Sequence, residues 1–464
     1  MQLWDDAVAL HEAGMYEEAE PKYDELLTQN HDNAGLLATM GTLQLHLKKV
    51  GLAMTLLHAA VDQLERKRKP VPGDILANLG MCYKYSGQRD KAIEILRRSC
   101  KASATAENLT VLGSMFVEAG QPSEAIEINR KAIKANAEYA LAHWNLSLAL
   151  LETGQWQEAW DHYDYGFSTH DESRGIRRDR KLGGKPMWDG THGQTVVVYG
   201  EQGIGDEIMF ASMLPDLMKT NTVIFECHTR LVTLFEKAFP GLKCYGTRES
   251  DSAPWHDTEQ YDAYISIGSL GKFYRRSREA FPGTPYLKAD PAPRSDKFRV
   301  GISWTGGQKA GRVLRRSVPL HWWKSILDVK NVEFVSLQYT ECAEEIAEVN
   351  ALGYDIKQFD EVKAHDYYET AKLVQSCDLV ITCCTSVVHL AGALGVPCWV
   401  MTPKHPAWRY QNEGGMPFYK SVRLYRQSKV EGAKELDLAA WMPVVNRIGL
   451  DLETLVRQQR KEAA

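Results

Sequence analysis

Of 464 residues, 44% are hydrophobic and 25% charged, the balance of a soluble globular chain and not of a disordered or fibrous one. The 55 basic and 60 acidic side chains leave a net charge of −5, so no global positive field exists to hold a polyanion and general nucleic-acid binding is disfavoured. Nine cysteines, an odd number without a Cys-x-x-Cys pair, encode neither a disulfide framework nor a zinc ribbon and point to reduced thiols in a cytoplasm. Met1–Leu10 carries Asp5 and Asp6 and no basic residue before a long apolar core, so it does not read as a signal peptide. Val380–Met401 contains no formal charge, but Thr382, Thr385, Ser386, His389 and the Gly395-Val396-Pro397 break divide it into strand, helix and strand, the buried centre of an α/β domain and no membrane span.

The first third is repetitive. Ala19, Ala53, Ala92, Ala125 and Ala159 are spaced by 34, 39, 33 and 34 residues, and Gly14, Gly87, Gly120 and Gly154 each stand five residues before one of them. Two antiparallel helices per unit explain the residue types: glycine relieves the turn and alanine sits where the helices approach too closely for a larger side chain. Gly41, Gly80 and Gly113 mark the matching contact on the first helix of their units. The long spacing contains Glu65-Arg-Lys-Arg-Lys-Pro-Val-Pro-Gly73, which ends one helix and lengthens a loop. Over residues 1–167 the chain resembles a tetratricopeptide-repeat domain, whose concave face implies a peptide or protein partner; a scaffold role is the alternative.

Residues 168–192 break the pattern with Arg174, Arg177, Arg178, Arg180, Lys181 and Lys185 and read as a basic linker. From Thr195 onward, short β-branched runs alternate with helical stretches, first over 193–292 and again over 293–430, with Asp290-Pro-Ala-Pro-Arg-Ser-Asp296 between the two series. An α-solenoid followed by two doubly wound Rossmann-like domains facing a cleft is the expected fold, with carboxyl-terminal helices over 431–464.

In such sheets ligands sit beyond the carboxyl ends of the strands, so three loops carry the candidate chemistry. Gly200-Glu-Gln-Gly-Ile-Gly-Asp206 lacks the dinucleotide spacing, yet Gln202, Gly203 and Gly205 give a flexible backbone and Asp206 a carboxylate that can take a proton or cap the helix. Thr305–Ser317, with three glycines, Lys309, Arg312, Arg315 and Arg316, suits a phosphate or is a flexible surface loop. Cys383-Cys-Thr-Ser386 opens a helix whose amino end suits a diphosphate, with Thr385 or Ser386 adding a hydroxyl and His389 one turn inside. Adjacent cysteines chelate poorly and no Asp-x-Asp occurs, so no metal is expected.

Gly203-x-Gly-Asp206, the strand ending at Trp304 with its loop to Arg316-Ser-Val-Pro-Leu320, Ser336-Leu-Gln338 and Thr385-x3-His389-Leu-Ala-Gly-Ala-Leu-Gly395 together resemble the ADP-heptose heptosyltransferase family, in particular relatives that carry an amino-terminal tetratricopeptide array. Gly154–Tyr165 and Trp188-Asp-Gly190 are also similar to those fused proteins. The resemblance implies a metal-independent, inverting glycosyltransferase of GT-B fold that uses a sugar-nucleotide co-substrate and no cofactor. It implies Asp206 as the base, and Trp304, Lys309, Arg316, Ser317, Gln338, Thr385, Ser386 and His389 as donor-site residues. Relatives usually place an Asp before the Thr of the third motif, where this chain has Cys384, and a thiol does not give the same charged hydrogen bond. The implied partners are a nucleotide-sugar donor and an acceptor glycan, protein or modified nucleobase. The alternatives are a protein O-glycosyltransferase, with the repeats holding a polypeptide, and an inactive repeat-based adaptor.

Overall fold

The computed structural model describes residues 2–169, 177, 180, 182, 184–250, 253–306, 317–362, 365–428 and 438–462. The chain divides into two units, Met1–Leu150 and Leu151–Ala464.

The first unit is an α-solenoid of antiparallel helix pairs: Gln2–Glu12 with Tyr16–Gln29, Ala34–His46 with Val50–Arg66, Gly73–Tyr85 with Arg89–Ala102, and Ala106–Glu118 with Pro122–Ala135. Glycine ends the first helix of most pairs because the next turn needs a left-handed residue: Gly14, Gly87 and Gly120 have φ of 76°, 73° and 65°. The equivalent carbonyl is recaptured after each turn: Met15 N donates to Leu10 O, Gln88 N to Tyr83 O and Gln121 N to Phe116 O, at 2.8–2.9 Å. In the second pair, where the glycine series lapses, Lys48 holds that conformation at φ 59° and Lys49 N bonds Gln44 O at 2.9 Å. The turn is therefore dictated by the repeat, at a cost of about 1 kcal/mol for a residue with a Cβ.

The spaced alanines are the close contacts expected of them. Ala19, Ala53, Ala92 and Ala125 are fully buried. A Cβ on Gly41 or Gly80 would lie 2.7 or 2.6 Å from the leucine side chain opposite, Leu57 or Leu96, and one on Gly113 would lie 2.5 Å from Asn129. A larger side chain at these points would separate the helices and forfeit the dispersion contacts along their length.

The second unit contains two parallel sheets. In the first, β1 Thr195–Tyr199, β2 Thr222–Glu226, β3 Lys243–Tyr245 and β4 Ala263–Ser266 stand in the order β3-β2-β1-β4. In the second, β5 Phe298–Ser303, β6 Val332–Ser336, β7 Ile356–Lys357, β8 Leu379–Cys383, β9 Cys398–Thr402 and β10 Val422–Arg426 stand in the order β10-β9-β8-β5-β6-β7. The strands read as near-continuous apolar runs because both sheet faces are covered; every residue of β5 and β8 is buried. Strand order reverses beside β1 in one sheet and beside β5 in the other, and the loops leaving β1 and β8 line a cleft.

The uncharged run forms β8, the helix Ser386–Leu394 and β9, and among the described residues no helix is long and apolar enough to cross a membrane. The carboxyl-terminal segment is one described helix, Leu438–Glu462, whose Trp441, Val444, Ile448 and Leu452 complete the core of the second sheet. All nine cysteines are free.

Two arginines of segment 168–192 are held inside the fold. Arg180 pairs with the buried Glu226 at 2.6 Å. The side chain of Arg177 is fully buried: it reaches Glu201 at 2.8 Å and Asp164 at 2.7 Å and lies between the rings of Tyr163 and Phe167, at 4.2 and 3.9 Å. Arg174, Arg178 and Lys181 lie outside the described residues.

The helix Trp156–Tyr163, last of the repeat series and bearing the buried Ala159, belongs to the second unit. Its Trp160 donates from Nε1 to Arg275 O at 2.7 Å and meets Trp408 at 6.1 Å, while Trp156 meets Phe281 at 4.7 Å. Just before it, Glu152 accepts from Asn412 at 2.6 Å, and burial pushes its carboxyl up to about 7. The folded acid therefore holds its proton more tightly than the unfolded one. The stability it contributes is full below the ordinary carboxylate range and is lost as pH rises through about 7. Glu152→Gln is expected to flatten this dependence, with the wild type losing up to about 3 kcal/mol relative to the variant between about pH 5 and 8 in denaturant titrations.

Candidate functional site

The cleft between the two sheets measures about 370 Å³ and is lined from the first by the loop Gln202–Asp206 with His228, Arg230, Arg248 and Glu249, and from the second by Tyr339, Tyr367, Cys384–Ser386, His389, Arg409 and Tyr410. Two helices start here. Ile204–Ala211 follows β1, Ser386–Leu394 follows β8, and they pack against each other at Gly205, where a Cβ would lie 3.0 Å from His389 Cδ2 and 3.2 Å from the Ser386 backbone. A Cβ at 205 would press on this approach of one helix end to the other.

Asp206 stands at the third position of its helix. Its Oδ2 accepts from Gly203 N at 3.3 Å, the helix-capping bond, and its Oδ1 accepts from Arg409 Nη2. The cap and the cleft-facing carboxylate are thus one residue. The loop before it is under conformational load: Gln202 has φ 63° and is tied through Nε2 to Tyr163 Oη at 2.8 Å. Beneath the loop Glu207 is fully buried, accepts from His228 N at 3.0 Å and faces Arg248 Nε at 2.9 Å. Burial lifts its carboxyl to about 7 against the pull of Arg248. Arg248 also donates to Gln202 O at 2.8 Å, so the loop is held from both sides.

Across the cleft, Thr385 caps the second helix by accepting from Val387 N at 3.2 Å, and Ser386 Oγ accepts from Tyr367 Oη at 3.1 Å. His389 is buried, with Nδ1 3.4 Å from Tyr419 Oη. Cys384 is also buried, its Sγ 3.8 Å from Met401 O.

Gln202, Gly203, Gly205, Asp206, Thr385, Ser386 and His389 are thereby brought to one cavity. Trp304 and Gln338 lie in the interior behind it. Trp304 is fully buried and donates from Nε1 to Glu345 at 2.6 Å. Gln338 Oε1 accepts from Ser303 Oγ, Trp304 N and Thr305 N, each at 3.1 Å, while its Nε2 donates to Thr305 O and Thr340 Oγ1. It fastens the carboxyl ends of β5 and β6 and shapes the start of the following loop. Ser317 accepts from Gly306 N at 3.4 Å where that loop returns. Lys309 and Arg316, with Arg312 and Arg315, lie outside the described residues.

The sequence motifs do not single out Arg230, Arg248 and Arg409, which also line the cleft. Each follows a strand end, β2, β3 and β9, and that rule was the available signal; β3 is only three residues long and leaves no readable run.

Two tetratricopeptide-repeat family models match residues 110–166 and 73–105. The amino-terminal region is a tetratricopeptide-repeat solenoid, and a parallel-sheet α/β region with two sheets follows it. Protein FlbA of Caulobacter vibrioides is 29% identical over 349 residues, covering 68% of this chain and 55% of its own length, so the chain spans about half the length of the curated relative it matches. Among solved structures the chain is similar to MamA, with 18% identity, a TM-score of 0.31 and coverage of 36% of this chain and 96% of that one. It is also similar to YrrB, described as a TPR protein with an unusual peptide-binding site, with 18% identity, a TM-score of 0.29 and coverage of 35% and 81%. A thermophilic TPR protein of Thermus thermophilus has 17% identity, a TM-score of 0.31 and coverage of 37% and 92%.

Proposed function

We propose that the protein is a glycosyltransferase that moves a sugar from a nucleotide-diphosphate donor to an acceptor hydroxyl, with inversion and without a metal. The observation that carries this reading is the meeting, in one cleft between two parallel sheets, of the Asp206 carboxylate and the amino end of the helix Ser386–Leu394. A helix end of this kind suits a diphosphate through its backbone N–H groups and dipole, and Thr385 and Ser386 add hydroxyls beside it. The acceptor oxygen attacks the anomeric carbon while Asp206 takes its proton. The bond from that carbon to the leaving phosphate oxygen breaks, and the electron pair departs with the nucleoside diphosphate. Lys309 and Arg316 join this role as basic residues of the Thr305–Ser317 loop, the solenoid selects the acceptor or a protein partner, and the reaction takes place in the cytoplasm.

The adaptor reading is favoured by one observation: both oxygens of Asp206 already have partners within the protein. The two readings separate on incubation with a panel of sugar nucleotides and candidate glycan, protein and nucleic-acid acceptors, followed by mass spectrometry. A glycosyl mass increment on one acceptor class with release of nucleoside diphosphate is expected. Absence of both a thermal shift and any increment across the panel sinks the enzyme reading in favour of the adaptor.

A further inference from the structure

We infer that Arg409 exchanges partners during the reaction, leaving the Asp206 carboxylate for the donor diphosphate and so releasing the base only when donor is bound. This rests on the sugar-transfer reading above. In the arrangement described, Oδ1 of Asp206 is engaged by Arg409 Nη2 and Oδ2 by Gly203 N, so an incoming hydroxyl competes with both donors for the carboxylate lone pairs. The bond to Gly203 belongs to the helix cap and is fixed by the backbone. The bond to Arg409 spans the two sheets' elements and depends on one side chain.

That side chain projects from a fixed base. Trp408 beside it is buried among Trp160, Phe210 and Phe418, and the carbonyls of Tyr410 and Gln411 are held by the Arg426 guanidinium at 2.9 and 2.7 Å. Gln411 is locked at φ 53°. The guanidinium itself is under-used: its Nε is buried and has no hydrogen-bond partner among the described residues, so the pair with Asp206 is one-pronged. A diphosphate offers several oxygens and satisfies Nε and Nη2 together, which exchanges a single charge-assisted bond for a forked one. The same cleft places Thr385 and Ser386 opposite, so an anion drawn to the helix end comes within the reach of Arg409. The exchange makes donor binding precede deprotonation of the acceptor and protects the donor from an idle base.

Because Asp206 and the diphosphate compete for one guanidinium, removing the carboxylate must strengthen nucleotide binding. Isothermal titration of the full chain with UDP, GDP, ADP and CDP is the test. Arg409→Gln is expected to weaken binding of the recognised diphosphate about 10- to 100-fold, with Arg409→Lys between it and the wild type. Asp206→Asn is expected to tighten binding about 5-fold, and to have no effect when combined with Arg409→Gln. Weaker or unchanged binding in Asp206→Asn, or unchanged binding in Arg409→Gln, overturns the exchange while leaving the sugar-nucleotide site standing. If none of the four diphosphates binds the wild type, that reading falls and this one with it. Thermal melts of each variant establish that it is folded before its affinity is compared.

Discussion

Under the proposed sugar transfer, Asp206→Asn is expected to lower kcat by about 10²- to 10⁴-fold, the usual contribution of a positioned general base. The substitution keeps the shape of the side chain and an oxygen for the Gly203 N–H bond, so the helix Ile204–Ala211 keeps its cap. What it removes is the negative oxygen that can accept the proton of an attacking hydroxyl. The loss should therefore fall on kcat, with the affinity for donor nucleotide improved. Single-turnover assays with saturating donor check this. A variant that transfers sugar at the wild-type rate would reduce Asp206 to a helix cap.

Arg177→Met is expected to destabilise the second unit by about 3–5 kcal/mol, measured as the shift of its denaturant transition, because it leaves buried carboxylate charge without a partner. Arg177 uses its whole fork: Nε on Glu201, Nη1 on Asp164 and Tyr163 O, and Nη2 on Ser266 and Ser269 at 2.9 and 2.6 Å. Glu201 is buried and also accepts from Gly268 N at 3.1 Å, so removal of the arginine strands a charge in the interior. Glu201 directly precedes Gln202, hence the same change is expected to loosen the loop Gln202–Asp206 and, under the proposed sugar transfer, to lower activity at temperatures where the protein remains folded. Combining it with Glu201→Gln should recover part of the lost stability, since the stranded charge is then absent. Failure to recover any would place the cost in packing against Tyr163 and Phe167 instead.

The repeat register was legible because each unit poses the same steric problem. Alanine is required at a helix crossing and a left-handed residue at a turn, so a short list of residue types recurs at a fixed spacing. Lys48 shows the limit of that legibility: the turn persists without its glycine, since the surrounding helices determine it. The strands β1, β2, β5, β6, β8 and β9 were equally legible as buried β-branched and apolar runs, whereas β3, β4, β7 and β10 are short or carry exposed or partly exposed positions that blur the pattern.

The candidate site divides in the same way. Loops that follow readable strands could be found by position, which brought Asp206, Thr385, Ser386 and His389 onto the cleft. Residue type and motif order alone do not say whether a polar side chain faces a cavity or the interior. Gln338 and Trp304 look like ligand groups in the sequence, but their hydrogen-bonding atoms are engaged inside the second sheet. Arg177 reads as one of many charges in a loose basic stretch, and becomes interior only when Glu201, Asp164, Ser266 and Ser269 converge on it from distant parts of the chain.

The sequence by itself determined the period of the solenoid, the alternation of strand and helix and the strand ends where ligands gather, because each is a local demand of backbone geometry and burial. Only the tertiary structure decided that Arg409, more than two hundred residues away in sequence, meets Asp206. Pairings between charges depend on where two sheets bring their loops, and no local pattern of residues encodes that distance.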